Sequence, residues 1–164
     1  MHATTRTWTS LYYRTHAWFE TIPLSMQAIL TLPISSTRSA PPHQFPLILY
    51  TCRSDMFAAI MHHTTSILLL ESKPPVSQST SSLKSQTWHA VQICGVCLAN
   101  NATWSHDPTV LAELIYAGRF ISYHEQRKEV LRSLYLLVKE SGLRMGEAVD
   151  DMVATWKLDS GFDT

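Results

Sequence analysis

Glycine is scarce in this chain, with five among 164 residues, and the scarcity excludes several chemistries. There is no glycine-rich loop to cradle a phosphate and no G-x-S-x-G turn to raise a serine nucleophile. The H-E-x-x-H pattern of zinc hydrolases is also missing. Cysteine is sparse and odd in number. Cys52, Cys94 and Cys97 cannot form a secreted disulfide framework without leaving one thiol over, so a reducing, cytoplasmic setting is the simpler reading. No long apolar run is present. The best candidate, residues 56–70, spans 15 residues and contains His62-His63-Thr64-Thr65-Ser66, whereas a membrane span needs about 20 mostly apolar residues. Nor is there an excess of either charge. Thirteen basic side chains balance thirteen acidic ones, so nothing at whole-chain level calls for a nucleic acid or a membrane surface as partner.

What is present changes character near residue 90. Residues 1–90 hold 26 Ser or Thr, seven of the eight prolines and only three acids; the remaining residues hold nine Ser or Thr, one proline and ten acids. In the first part, short apolar islands sit between prolines. Residues 28–32 end at Pro33, residues 47–50 follow Pro41-Pro42, and residues 67–70 precede Pro74-Pro75. The second and third islands suit short strands, and residues 56–61 suit a helical turn or two. Residues 72–87 read as a polar Ser/Thr linker that buries too little to offset its ordering entropy. Residues 1–88 are therefore expected to be a poorly structured, Ser/Thr/Pro-rich extension. Its acid-poor, Arg-containing start matches an organelle presequence in composition, which makes organelle targeting the alternative to a cytoplasmic location.

Residues 89–164 read as a helical module, giving a mainly α fold with a small three-helix array. Asp107 is placed as an N-cap with Pro108 in the first turn, where its missing N–H costs nothing. Val110, Leu111, Leu114, Ile115 and Ala117 follow on one face, and Gly118 closes the helix. Ser122-Tyr123-His124-Glu125 fits a capping box, after which Val130, Leu131, Leu134, Leu137 and Val138 recur at helical spacing. Gly142 suits a C-terminal stop because it takes positive φ without strain. A third stripe, Met145, Ala148, Val149, Met152, Val153 and Trp156, predicts a helix over 144–157.

Cys94-Gly95-Val96-Cys97 is the sharpest local motif. As a redox pair it wants a helix start behind a strand, within a thioredoxin-like alternation that this chain lacks. As a metal site it supplies two thiolates, with His89 upstream and His106 downstream to close a tetrahedral zinc set. As plain packing it is two buried thiols. His62 and His63 are adjacent, so on a helix their side chains diverge by about 100° and share a ligand poorly. A helix-turn-helix reading fails on charge, because the second helix would bring Glu147, Asp150 and Asp151 to the phosphates. The expected function is a helical protein–protein interaction or regulatory module without catalysis of its own. Leu134, Tyr135, Met152 and Trp156 are its expected contact residues, since their apolar surface exceeds what three helices bury. A zinc-stabilised module on His89, Cys94, Cys97 and His106 is the alternative, and a thiol-dependent enzyme centred on Cys94 is the remote third.

Overall fold

The computed structural model describes residues 2–34, 45–75, 83–100, 107–142 and 144–156, and the fold is mainly helical. Helix α1 (His2–Glu20) leads through a single 3-10 turn to a short antiparallel hairpin of β1 (Leu30–Leu32) and β2 (Leu47–Leu49). In register, Leu30 opposes Leu49, Thr31 opposes Ile48 and Leu32 opposes Leu47. Then come α2 (Arg53–Glu71), α3 (Gln86–Ala99), α4 (Pro108–Gly118), α5 (His124–Ser141) and α6 (Gly146–Trp156). Helix α3 is the hub. It packs on α2 along one side, on α4 along another, and carries the hairpin across its C-terminal half.

The C-terminal helices follow local capping chemistry. Asp107 accepts a 2.8 Å hydrogen bond from the Thr109 N–H, and Pro108 occupies the first helical position. Gly142 ends α5 at φ 67, with its N–H donating to the Val138 carbonyl. The start of α5 departs from the expected capping box. Its N-cap is Tyr123, without a side-chain cap bond, so Ser122 lies one residue too early. The stripes on α4, α5 and α6 bury Leu111, Leu114, Leu131, Leu134, Val149 and Met152 in one core shared with α2, α3 and the hairpin.

The first half differs from its expectation. Residues 53–71, read as islands, form one 19-residue helix, and Met56, Ile60 and Ile67 on it are wholly buried in the same core cluster as the C-terminal helices. The Ile67–Leu70 island is helical rather than extended, whereas 47–49 is the strand that the sequence suggests. The buried face of α2 recurs at three and four residues through Met56, Ala59, Ile60, His63, Ser66 and Ile67, but it mixes imidazoles and a hydroxyl with aliphatic residues while Met61 and Leu68 face outward, so hydrophobicity does not mark it. Ser66 returns its hydroxyl to the His62 carbonyl instead of breaking the helix. Helix α1 lies on α2 through Trp8, Tyr12, His16 and Phe19, and the Trp8 indole N–H donates to the Leu69 carbonyl at 2.6 Å. Helix α3 also begins earlier than the expected module. Ser85 caps it by accepting from the Trp88 N–H, and it runs through the cysteine motif to Ala99.

Two close approaches fix the hairpin. Asn100 donates to the Ile48 and Val96 carbonyls at 2.8 and 2.7 Å and accepts from the Tyr50 N–H at 3.1 Å. Gly95 lies directly beneath Pro46, where a Cβ would sit 2.5 Å from the Pro46 carbonyl oxygen. Among the described residues, no helix is long and apolar enough to cross a membrane.

Candidate metal centre

The polar feature at the heart of the fold is a set of imidazoles. His62 and His63 come from α2 and His89 from the first turn of α3, and all three are buried. They meet because α2 and α3 pack closely against each other along their lengths, more so than any other pair of helices among the described residues. Adjacent histidines diverge on their own helix, but the groove between two helices admits both rings when the partner helix supplies the third. One nitrogen from each ring lies within 4.8 Å of one from each of the others. Ring centroids stand 5.0 Å apart for His62–His63, 5.2 Å for His63–His89 and 6.2 Å for His62–His89.

The walls are aromatic. Phe19 stacks flat on His62 at 4.0 Å, and the Trp88 ring stands edge-on to both His63 and His89. Lys84 lies over the Trp88 ring on the outer side. A cleft of about 550 Å³ opens onto the rings and is lined also by Tyr12, His16 and Glu20. Glu20 is its one carboxylate among the described residues.

These rings are held neutral. Burial in low dielectric disfavours the charged form, so His62 falls to about 4, with His16 lowering it further and a hydrogen bond to the Thr15 backbone opposing. His89 is likewise pushed down to about 4, first by burial and then by His62 and His16. His63 is lowered well below its ordinary range by burial and by all three neighbouring rings. Neutral imidazole is the form that ligates a metal.

The hydrogen-bonding account of the cluster is incomplete within the protein. His63 Nδ1 and His89 Nδ1 share one hydrogen bond at 2.9 Å. His62 Nδ1, His89 Nε2 and His16 Nε2 are buried without a protein partner. Leaving a buried polar atom unsatisfied costs about 1–3 kcal/mol. Buried polar atoms left in this way are a reason to look for a ligand.

The residues expected from sequence are distributed differently. His89 belongs to the imidazole set, and His106 lies outside the described residues. Cys94 and Cys97 lie further along α3, fully buried against the core, and burial raises both thiols. The Cys97 thiol faces the Val110 carbonyl at 3.9 Å. Among the described residues the group that gathers is the three histidines, without either cysteine. Of the expected contact residues, Leu134, Met152 and Trp156 are buried in the chain's own core, and Tyr135 faces water. Their apolar surface is absorbed because α4 and α5 close over α6. Met152 packs on Gly118, and Arg127 covers the Trp156 ring.

Comparison with known families, curated proteins and solved structures finds no match for this chain.

Proposed function

We propose that this chain is a metal-stabilised helical module in which His62, His63 and His89 hold one divalent transition ion, zinc being the best fit. The observation that carries this reading is the convergence of three buried imidazoles with donor atoms within 4.8 Å of one another. Imidazole suits zinc and its borderline neighbours rather than magnesium or calcium, which prefer oxygen. The rings are already neutral, so little proton release opposes binding at neutral pH. Such an ion would tie α2 to α3 at the hub of the fold, and its binding energy would become folding energy. The role is structural or regulatory. The thiol-enzyme alternative loses ground because neither Cys94 nor Cys97 is exposed or activated.

The test is equilibrium dialysis of the full chain against zinc, followed by elemental mass spectrometry. One zinc per chain is expected, retained in Cys94→Ser and lost in His63→Gln and His89→Gln. No retained zinc, or loss in Cys94→Ser with retention in the histidine variants, overturns the reading.

A second reading, a protein-binding module, draws support from a separate observation. Leu24, Ile29, Leu30, Leu32 and Ile34 all face outward beside the hairpin, and Leu24 is 85% exposed. Large apolar side chains exposed in such number along one short segment suit a partner surface.

A further inference from the structure

We infer that His16 is the fourth ligand of this site, so that the ion is closed in by four imidazoles and pins α1 onto the α2–α3 pair. The inference rests on the three-histidine reading above and extends it to a third helix.

The geometry carries it. In a tetrahedral zinc site the nitrogen ligands stand about 2.0–2.1 Å from the ion, which places the centroids of four imidazoles about 5 Å apart. The His16 centroid lies 5.3 Å from His62 and 6.0 Å from His89. With the three separations among His62, His63 and His89, five of the six pairwise distances fall between 5.0 and 6.2 Å. The His16 nitrogens stand outside the set that lies within 4.8 Å of one another, so ligation asks the His16 ring to turn inward towards His63. His16 Nε2 is buried without a protein partner, as are His62 Nδ1 and His89 Nε2. A surface histidine passing near the cluster would keep its nitrogens in water.

Helix α1 is suited to be pinned in this way. Its contact face is an aromatic ladder, Trp8, Tyr12, His16 and Phe19, laid along α2. Tyr12 packs on the His16 ring at 4.3 Å and Phe19 on the His62 ring at 4.0 Å, so the ladder orients the His16 imidazole before any ion arrives. Glu20, one turn beyond His16, supplies the nearby negative charge that a buried dication lacks from neutral ligands. Four protein ligands leave no open position for an activated water, which matches a structural site rather than a hydrolytic one.

Cobalt(II) titration of the full chain tests this, because its visible spectrum reports coordination number and ligand type. The wild-type chain is expected to give the intense bands of four-coordinate cobalt without a thiolate charge-transfer band. His16→Phe keeps an aromatic ring in the ladder and removes the ligand. It should bind cobalt at least about 100-fold more weakly, since even outer partners of a ligand are worth 10–100-fold, and should show the weaker bands of a water-containing site. His16→Cys should gain a thiolate-to-cobalt band in the near ultraviolet, which a merely structural residue could not produce. Amide exchange in α1 should slow on metal addition in the wild-type chain and not in His16→Phe. Equal affinity and spectra in wild type and His16→Phe, or His16→Cys without a thiolate band, would overturn the role of His16 while leaving the three-histidine site standing. No cobalt binding by the wild-type chain would overturn both.

Discussion

Gly95→Ala inverts the usual expectation for a helix. Gly95 sits inside α3, where alanine is ordinarily better by about 1 kcal/mol because glycine loses more backbone freedom. Here an alanine Cβ would lie 2.5 Å from the Pro46 carbonyl oxygen and 2.8 Å from Pro46 Cγ. The nearer atom is backbone, so relief requires the hairpin to lift by about 1 Å, and overpacking of this kind costs about 1–3 kcal/mol. Lifting also stretches the Asn100 bonds to Ile48 and Tyr50, now 2.8 and 3.1 Å, each worth about 1 kcal/mol. After subtracting the propensity gain, the net loss is about 2 kcal/mol, or roughly 4–8 °C in melting temperature for a chain of this size. Urea unfolding of wild type and variant measures it. Gly146→Ala is the control, since nothing lies within 4 Å of its added Cβ, and it should be neutral or slightly stabilising. A Gly95→Ala chain as stable as wild type would refute the close packing of hairpin on helix. It would also reopen the question of why glycine stands between the two cysteines.

Two further predictions concern titration and thiols. In the metal-free chain His62 and His89 have folded-state values near 4 against about 6.5 when unfolded. The unfolded chain therefore binds more protons between these values. Stability is fully present above pH 6.5 and falls as pH drops from 6.5 towards 4, by up to about 3 kcal/mol for one such ring. The groups that face them are His16 and Glu20 from α1, His63 from α2 and Lys84 before α3. Urea midpoints in chelator at pH 7.5, 6 and 5 should decline, and a His62→Phe chain should decline less; a flat profile in the wild-type chain contradicts the buried, neutral cluster. Thiol labelling at neutral pH should modify Cys52 quickly, because it is exposed and its thiolate is favoured by hydrogen bonds from Ser54, and should leave Cys94 and Cys97 unmodified until unfolding. Rapid labelling of Cys94 in the folded chain would restore the thiol-enzyme reading.

The legible parts of the fold were those governed by neighbours in sequence. Asp107 and Pro108 announce the start of α4, Gly142 the end of α5, and three- and four-residue spacing marks the buried faces of α4, α5 and α6. Sequence reasoning missed α1, α2 and α3. In α2 the buried face interleaves histidines and a hydroxyl with its aliphatic residues while Met61 and Leu68 face outward, so composition hides the period. The site was illegible for a related reason. His62 and His63 diverge by local geometry, and only the α2–α3 packing brings in His89, 26 residues away. One signal was available. His62 and His63 interrupt an otherwise apolar run, and His89 precedes the apolar stretch of α3, so burying these helices must bury imidazoles as well. The cysteine pair drew attention by its spacing, yet its glycine answers to Pro46 and its thiols to the core.

The most direct test of the central claim is X-ray absorption at the zinc edge on the zinc-loaded full chain. The account predicts a first shell of nitrogen at about 2.0–2.1 Å with the outer-shell pattern of several imidazoles and no sulfur. A sulfur shell at about 2.3 Å would contradict it and move the ion to Cys94 and Cys97, and a chain that holds no zinc after dialysis would contradict it outright.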